Sequence, residues 1–100
     1  MTNATIHWIE KQNRFRRIEN DLWESGDWVV SPERAEALVG GNIYFHPSQS
    51  EPSNFGGVVQ SWYRAGTRIV FLFRAEMQFK CVRTGRAGWR REQKYIPPSE

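Results

Sequence analysis

From residue 42 onward the apolar residues recur with period two, and this spacing constrains the fold more than any other feature of the chain. "NIYFH" (42–46), "GVVQSWY" (57–63) and "EMQFKCV" (76–82) read as strands with distinct faces. In 57–63, Val58, Gln60 and Trp62 fall on one face and Val59, Ser61 and Tyr63 on the other. In 76–82, Met77, Phe79 and Cys81 are expected to point inward, with Gln78, Lys80 and Val82 outward. "TRIVFLF" (67–73) is almost wholly apolar, as expected of a central strand buried on both faces. "RAG" (64–66) supplies a hairpin connection, with glycine taking the unusual backbone angle. "RTGRAG" (83–88) is a basic turn. "WRREQKYI" (89–96) is a last strand or edge segment, stopped by Pro97-Pro98.

The first half is less regular. Ile6 and Trp8 alternate, which favours a short strand over 5–10 followed by a basic connector. "GDWVV" (26–30) is a compact strand. After it, several helix signals agree: Ser31 is a good N-cap, Pro32 suits the first helical position, and Glu33 lies where the helix dipole favours an anion. Ala35, Leu38 and Val39 form an apolar face and Gly40 is a natural stop, giving a helix over about 32–39. At two turns it must pack on a sheet to persist.

These elements predict a mainly β (α+β) protein. Five to seven short strands would form a small curved antiparallel sheet or a closed β-barrel, with the one short helix plugging an end. A chain of 100 residues is expected to be a single domain: 1–25 as an N-terminal extension or first strand, 26–96 as the barrel, 97–100 as a tail.

Little in the sequence calls for catalysis. His7 and His46 are the only histidines and stand 39 residues apart, which gives no zinc spacing with the single cysteine, so neither a metal nor a cofactor is expected. There is no P-loop and no G-x-G-x-x-G. His46 lies close to Ser48, Ser50 and Ser53, so a small hydrolase is one alternative, although no G-x-S-x-G elbow accompanies it. With no run of 18 apolar residues, no basic-then-apolar leader and the lone Cys81, the sequence reads as a cytoplasmic protein without a membrane partner.

Charge is unevenly placed. Residues 1–59 hold five Lys/Arg against eight Asp/Glu, and residues 60–100 hold nine against three. Eleven of the fourteen cations are Arg, whose planar fork suits phosphate and ring stacking. Arg83, Arg86, Arg90, Arg91 and Lys94 are therefore candidate phosphate contacts, read against the simpler role of a solvated face. The loop "HPSQSEPSNFGG" (46–57) is long for a compact domain, a length more typical of functional loops. Gly56-Gly57 lets the chain pass close to a ligand or to a neighbouring strand. Trp28 and Ser31 on one side and Trp62 on the other would flank it as an aromatic clamp, with His46, Ser48, Ser53 and Asn54 supplying polar groups. Stacking of a base on such an aromatic contributes roughly 1–3 kcal/mol.

The succession "WVVS", short helix, "GGNIYFH", polar loop, "GGVVQSWY" resembles the PUA-like superfamily of small barrels, which includes EVE, ASCH, YTH and SRA-type domains. The likeness is architectural and spans about residues 26–82. It implies a non-catalytic nucleic-acid-binding module for RNA or DNA, in which Trp28, Ser31, His46 and the following loop would hold a flipped or modified base. The alternative is a protein-interaction accessory factor of the kind carried by phages and mobile elements, its exposed aromatics and Arg serving as interface anchors.

Overall fold

A computed structural model of the chain describes residues 3–10, 15–85, 87–90 and 92–98. In chain order the elements are β1 (Thr5–Ile9), β2 (Phe15–Glu19), β3 (Leu22–Trp28), α1 (Pro32–Leu38), β4 (Asn42–His46), β5 (Phe55–Ala65), β6 (Arg68–Ala75), a 3-10 turn (Met77–Phe79) and β7 (Gln93–Ile96). The strands form a seven-stranded sheet in the order β2-β3-β6-β5-β4-β1-β7. The β1–β4 pair is parallel and the others are antiparallel.

Two of the three alternating segments, 42–46 and 57–63, lie in strands as expected. The β5–β6 hairpin closes through Gly66 and Thr67, between the paired Ala65 and Arg68, with φ +67° at Gly66. A positive φ at the first central position suits the twist of flanking strands. α1 begins where its signals place it: Ser31 Oγ accepts from the Arg34 N–H at 3.2 Å, and Pro32 opens the helix. Past Val39, Gly40 takes φ +82° and its N–H donates to Val59 O at 2.8 Å, tying the helix end to β5.

The sheet is strongly rolled. Trp8 of β1 and Trp28 of β3 have three strands between them in the sheet order, yet their rings stack at 4.2 Å. Phe15, on the edge strand β2, meets Phe45 and Phe55 edge-on at 4.8 and 5.0 Å. Inside the roll, Ile6, Trp8, Trp28, Ile43, Phe45, Val59, Ile69, Phe71 and Phe73 form the core, closed by Ala35 and Leu38 of α1.

The roll does not close into a barrel. β2 and β7 remain the two edges, and the seam beside β7 is crossed by Gln93 Nε2 donating to Val29 O at 3.1 Å and by the Arg34 guanidinium over the Tyr95 ring at 4.5 Å. The reason lies in the edge sequence: β7 has four residues before Pro97-Pro98, which lack amide donors.

Other expectations are corrected. β3 begins at Leu22, before the expected strand at 26–30, and ends at Trp28, leaving Val29 and Val30 outside it. Part of the expected basic connector is strand β2; residues 11–14 lie outside the described residues. Of the two readings of the N-terminal stretch, an extension or a first strand, it supplies strand, with β1 between β4 and β7. In β5 the register shifts between Val59 and Ser61, so Gln60 is an extra residue and the alternation changes phase: Val59 and Trp62, not Val58 and Trp62, turn to the core. Segment 76–82 is not a strand. β6 already has β3 and β5 on its two edges, so the chain beyond Ala75 has no edge there to pair with. It turns instead, through Phe79 N–H to Glu76 O and Lys80 N–H to Met77 O. Phe79 is buried as expected, but Met77 is 80% exposed and Cys81, at φ +62°, is exposed.

The two glycines of β5 pass close to neighbouring strands. A Cβ on Gly56 would collide with the Ile43 carbonyl of β4, and one on Gly57 with the Arg74 carbonyl of β6. Gly57→Ala should therefore lower the unfolding free energy by roughly 1–3 kcal/mol, the usual cost of overpacking, read as a lower urea midpoint at unchanged slope.

Candidate functional site

β1 and β4 are buried on both faces, and their outer face carries polar chemistry. The parallel register sets His7 beside Tyr44 and Ile9 beside His46, and on the other flank β7 sets Lys94 beside His7. His7 and His46 are 4% and 0% exposed. His7 stacks on Tyr44 at 4.7 Å with 11° between the rings, and Tyr44 in turn meets Phe79 at 4.9 Å. Trp89 covers the other end, 5.6 Å from His46 and 6.3 Å from His7.

The histidines bond to each other directly. His7 Nδ1 lies 2.8 Å from His46 Nε2, and His46 Nδ1 lies 2.9 Å from Glu51 O. A carbonyl oxygen only accepts, so His46 carries its proton on Nδ1 and donates it to Glu51 O. The Nε2 of neutral His46 is then an acceptor, and His7 donates to it from its own Nδ1. The proton order of the chain is thereby fixed: His7 to His46 to the Glu51 backbone.

This chain anchors a loop. Ser53, 2% exposed, donates from Oγ to Phe79 O at 2.6 Å and accepts from the Val82 N–H at 2.9 Å. Ser53 N–H donates to Val82 O and Cys81 N–H to Ser53 O, which lace the loop to the segment after the 3-10 turn. The result is a cleft of about 220 Å³ between Gln49, Ser50 and Glu51 on one wall and Arg83, Thr84 and Gly85 on the other. Lys94 braces the second wall, donating from Nζ to Thr84 Oγ1 at 2.7 Å and Gly85 O at 2.9 Å.

The structure thus brings together His46, the polar loop, Arg83 and Lys94. It does not bring the expected clamp together. Trp28 is buried, stacked on Trp8, and donates from Nε1 to Ser25 Oγ at 3.0 Å. Trp62 is half-buried and donates from Nε1 to Glu36 Oε2 at 3.3 Å. Ser31 is the helix cap. Ser48 donates to Glu51 Oε2 at 2.9 Å, and Asn54 is exposed with its N–H on Phe45 O. Arg83 and Arg90 are exposed; Arg86 and Arg91 lie outside the described residues. Both nitrogens of His46 are engaged, by His7 and Glu51, so neither is placed on Ser48, Ser50 or Ser53 as a hydrolase would need. No group of three or more His, Cys, Asp or Glu among the described residues is placed to hold a metal ion, and no helix among them is long and apolar enough to cross a membrane.

His7, Tyr44 and Glu51 were not legible as site residues. His7 and His46 meet through a strand pairing 37 residues apart in register, for which the sequence carries no local signal. Comparison with protein-family models, with curated proteins and with solved structures gives no match.

Burial lowers the His7 pKa to about 4, with the adjacent His46 and Lys94 adding to the effect. Burial also lowers that of His46, against the opposing bond to Glu51 O and with Lys94 reinforcing it. The unfolded chain therefore binds more protons than the folded one below the ordinary histidine value, and stability is lost as pH falls through that window. The His7 shift, from 6.5 to about 4, corresponds to roughly 3 kcal/mol. Urea unfolding should show stability falling from about pH 6.5 to about pH 4, with a shallower fall in His7→Gln. Long-range ¹H–¹⁵N spectra at neutral pH should show both imidazoles protonated at Nδ1; a proton on His46 Nε2 would disprove the chain.

Proposed function

We propose that this protein is a non-catalytic nucleic-acid-binding module that engages phosphates through its outer, basic face. The observation that carries the reading is the segment covering that face. Residues 80–94 include six cations, Lys80, Arg83, Arg86, Arg90, Arg91 and Lys94, against the one acid Glu92. Of these, Lys80, Arg83 and Arg90 are exposed and have no carboxylate partner among the described residues, whereas Arg16 and Arg74 elsewhere are paired with Glu24 and Asp21. A row of cations left unneutralised by the protein's own acids favours a polyanionic partner.

The cleft between Gln49–Glu51 and Arg83–Gly85 lies on this face, and its backbone and hydroxyl groups suit a sugar–phosphate chain. The resemblance to PUA-like barrels supports the same general role. The Trp28–Trp62 clamp forms no part of the proposal, because Trp28 belongs to the core. The hydrolase alternative loses its support with both nitrogens of His46 occupied.

Fluorescence anisotropy with short labelled single- and double-stranded DNA and RNA tests the reading. Binding is expected at about 50 mM salt, weakening linearly in log–log terms toward about 200 mM. Arg83→Ala/Arg90→Ala should weaken binding about evenly across sequences and reduce the salt slope by about two. No binding at the lower salt overturns the proposal, as does a partner in nuclease-treated lysate that binds equally well at both salt concentrations.

A further inference from the structure

We infer that the His7–His46 pair is an acid-sensitive latch on the loop 47–54: the closed loop accommodates the pair neutral or with one proton, and the doubly protonated pair releases it. The proton order of the chain, His7 to His46 to Glu51 O, sets where further protons can enter. A proton added to His7 Nε2 leaves both bonds of the chain intact, but places a charge in a buried nest between Tyr44 and Trp89, next to Lys94. A second proton has to enter at His46 Nε2, the atom that accepts from His7. Two N–H groups would then point at each other across 2.8 Å, and the contact becomes repulsive.

The surroundings offer the added charge little relief. From β4 the pair faces the Tyr44 phenol, and from β7 the cation of Lys94. From the loop it faces the Glu51 carbonyl, the Glu51 carboxylate being bonded to Ser48. From the covering segment it faces Trp89, with Arg83 at the cleft and Glu92 meeting the Ile9 N–H through its backbone oxygen. At the end of β1, Glu10 N–H donates to His46 O, and the buried Glu10 side chain has its own interaction.

The released element is set by the bonds. Glu51 O, held by His46, lies two residues from Ser53, and Ser53 carries the bonds to Phe79, Cys81 and Val82. The core lies on the other face of the sheet, so this cover can open while β3, β5 and β6 stay paired. In the open form both imidazoles titrate near their ordinary value. Each pH unit below about 6 then multiplies the open population by up to about tenfold per histidine, or about a hundredfold for the pair.

Native-state hydrogen exchange of the whole chain, corrected for intrinsic rates, tests this without any ligand. On going from pH 7 to about 4.5, protection of the Glu10, Ser53 and Cys81 amides is expected to collapse with up to that steepness, from a level well below that of the β5–β6 ladder, which exchanges only through global unfolding. His46→Gln, which hydrogen-bonds without titrating, should reduce the dependence to at most about tenfold per unit. Unchanged protection at the loop amides overturns the latch. So does an opening free energy at the loop amides equal to that of the β5–β6 amides at every pH, which makes their exchange global unfolding; the wild-type measurement decides even if the variant does not fold. The outcome is independent of whether the basic face binds nucleic acid.

Discussion

β1 enters the sheet between β4 and β7, and its parallel pairing with β4 governs both faces at once. On the inner face it sets Trp8 beside Phe45, at the centre of the aromatic core. On the outer face the same register sets His7 beside Tyr44 and brings it within bonding distance of His46. A slip of one residue would exchange these faces, putting imidazoles into the core and indole onto the polar side. The core therefore holds the histidine pair in place, although the two share no side-chain contact across the sheet.

Neither face satisfies every buried polar group. The indole N–H of Trp89 on the outer face has no partner among the described residues, and on the inner face Trp28 satisfies its indole N–H with Ser25 while that of Trp8 is likewise unpartnered. An unsatisfied donor of that kind costs about 1–3 kcal/mol, which the stacked indoles offset through buried area. On the outer face every link of the histidine chain depends on a neutral ring accepting or donating in one sense. The two imidazoles whose pKa burial lowers lie under this cover, whereas the buried core cluster carries no titratable side chain.

Much of the β content was legible because it is local. Alternation marked β4 and β5, an almost wholly apolar run marked β6, and Ser31, Pro32 and Gly40 bounded the helix to within a residue. What was not legible depended on partners distant in sequence. Segment 76–82 alternates as well as any strand, yet only Phe79 is buried, and it packs over Tyr44 and against Gly56. The signal for that was indirect: a glycine opposite an aromatic leaves a hollow that some side chain has to fill. The bulge at Gln60 likewise has no signature in residue type, and it sets Trp62 on the side of Val59, at the core's rim. Trp28 followed from the same long-range logic, since only the rolling of the sheet puts it against Trp8.

The loop 46–57 joins these features. Its glycines serve the sheet, Ser53 and His46 serve as anchors, and Gln49 to Glu51 and Asn54 are its exposed residues. A loop built this way exposes few residues, and those are positioned by buried neighbours. Arg83 and Lys94 approach the same cleft from a segment whose other contacts are Phe79 on Tyr44 and Trp89 on the histidines. The cation-bearing wall and the polar wall are thus both fastened to the outer face of β1 and β4. Any change in the charge of the histidines acts on the two walls together, which is why electrostatics, packing and cleft shape cannot be varied separately in this molecule.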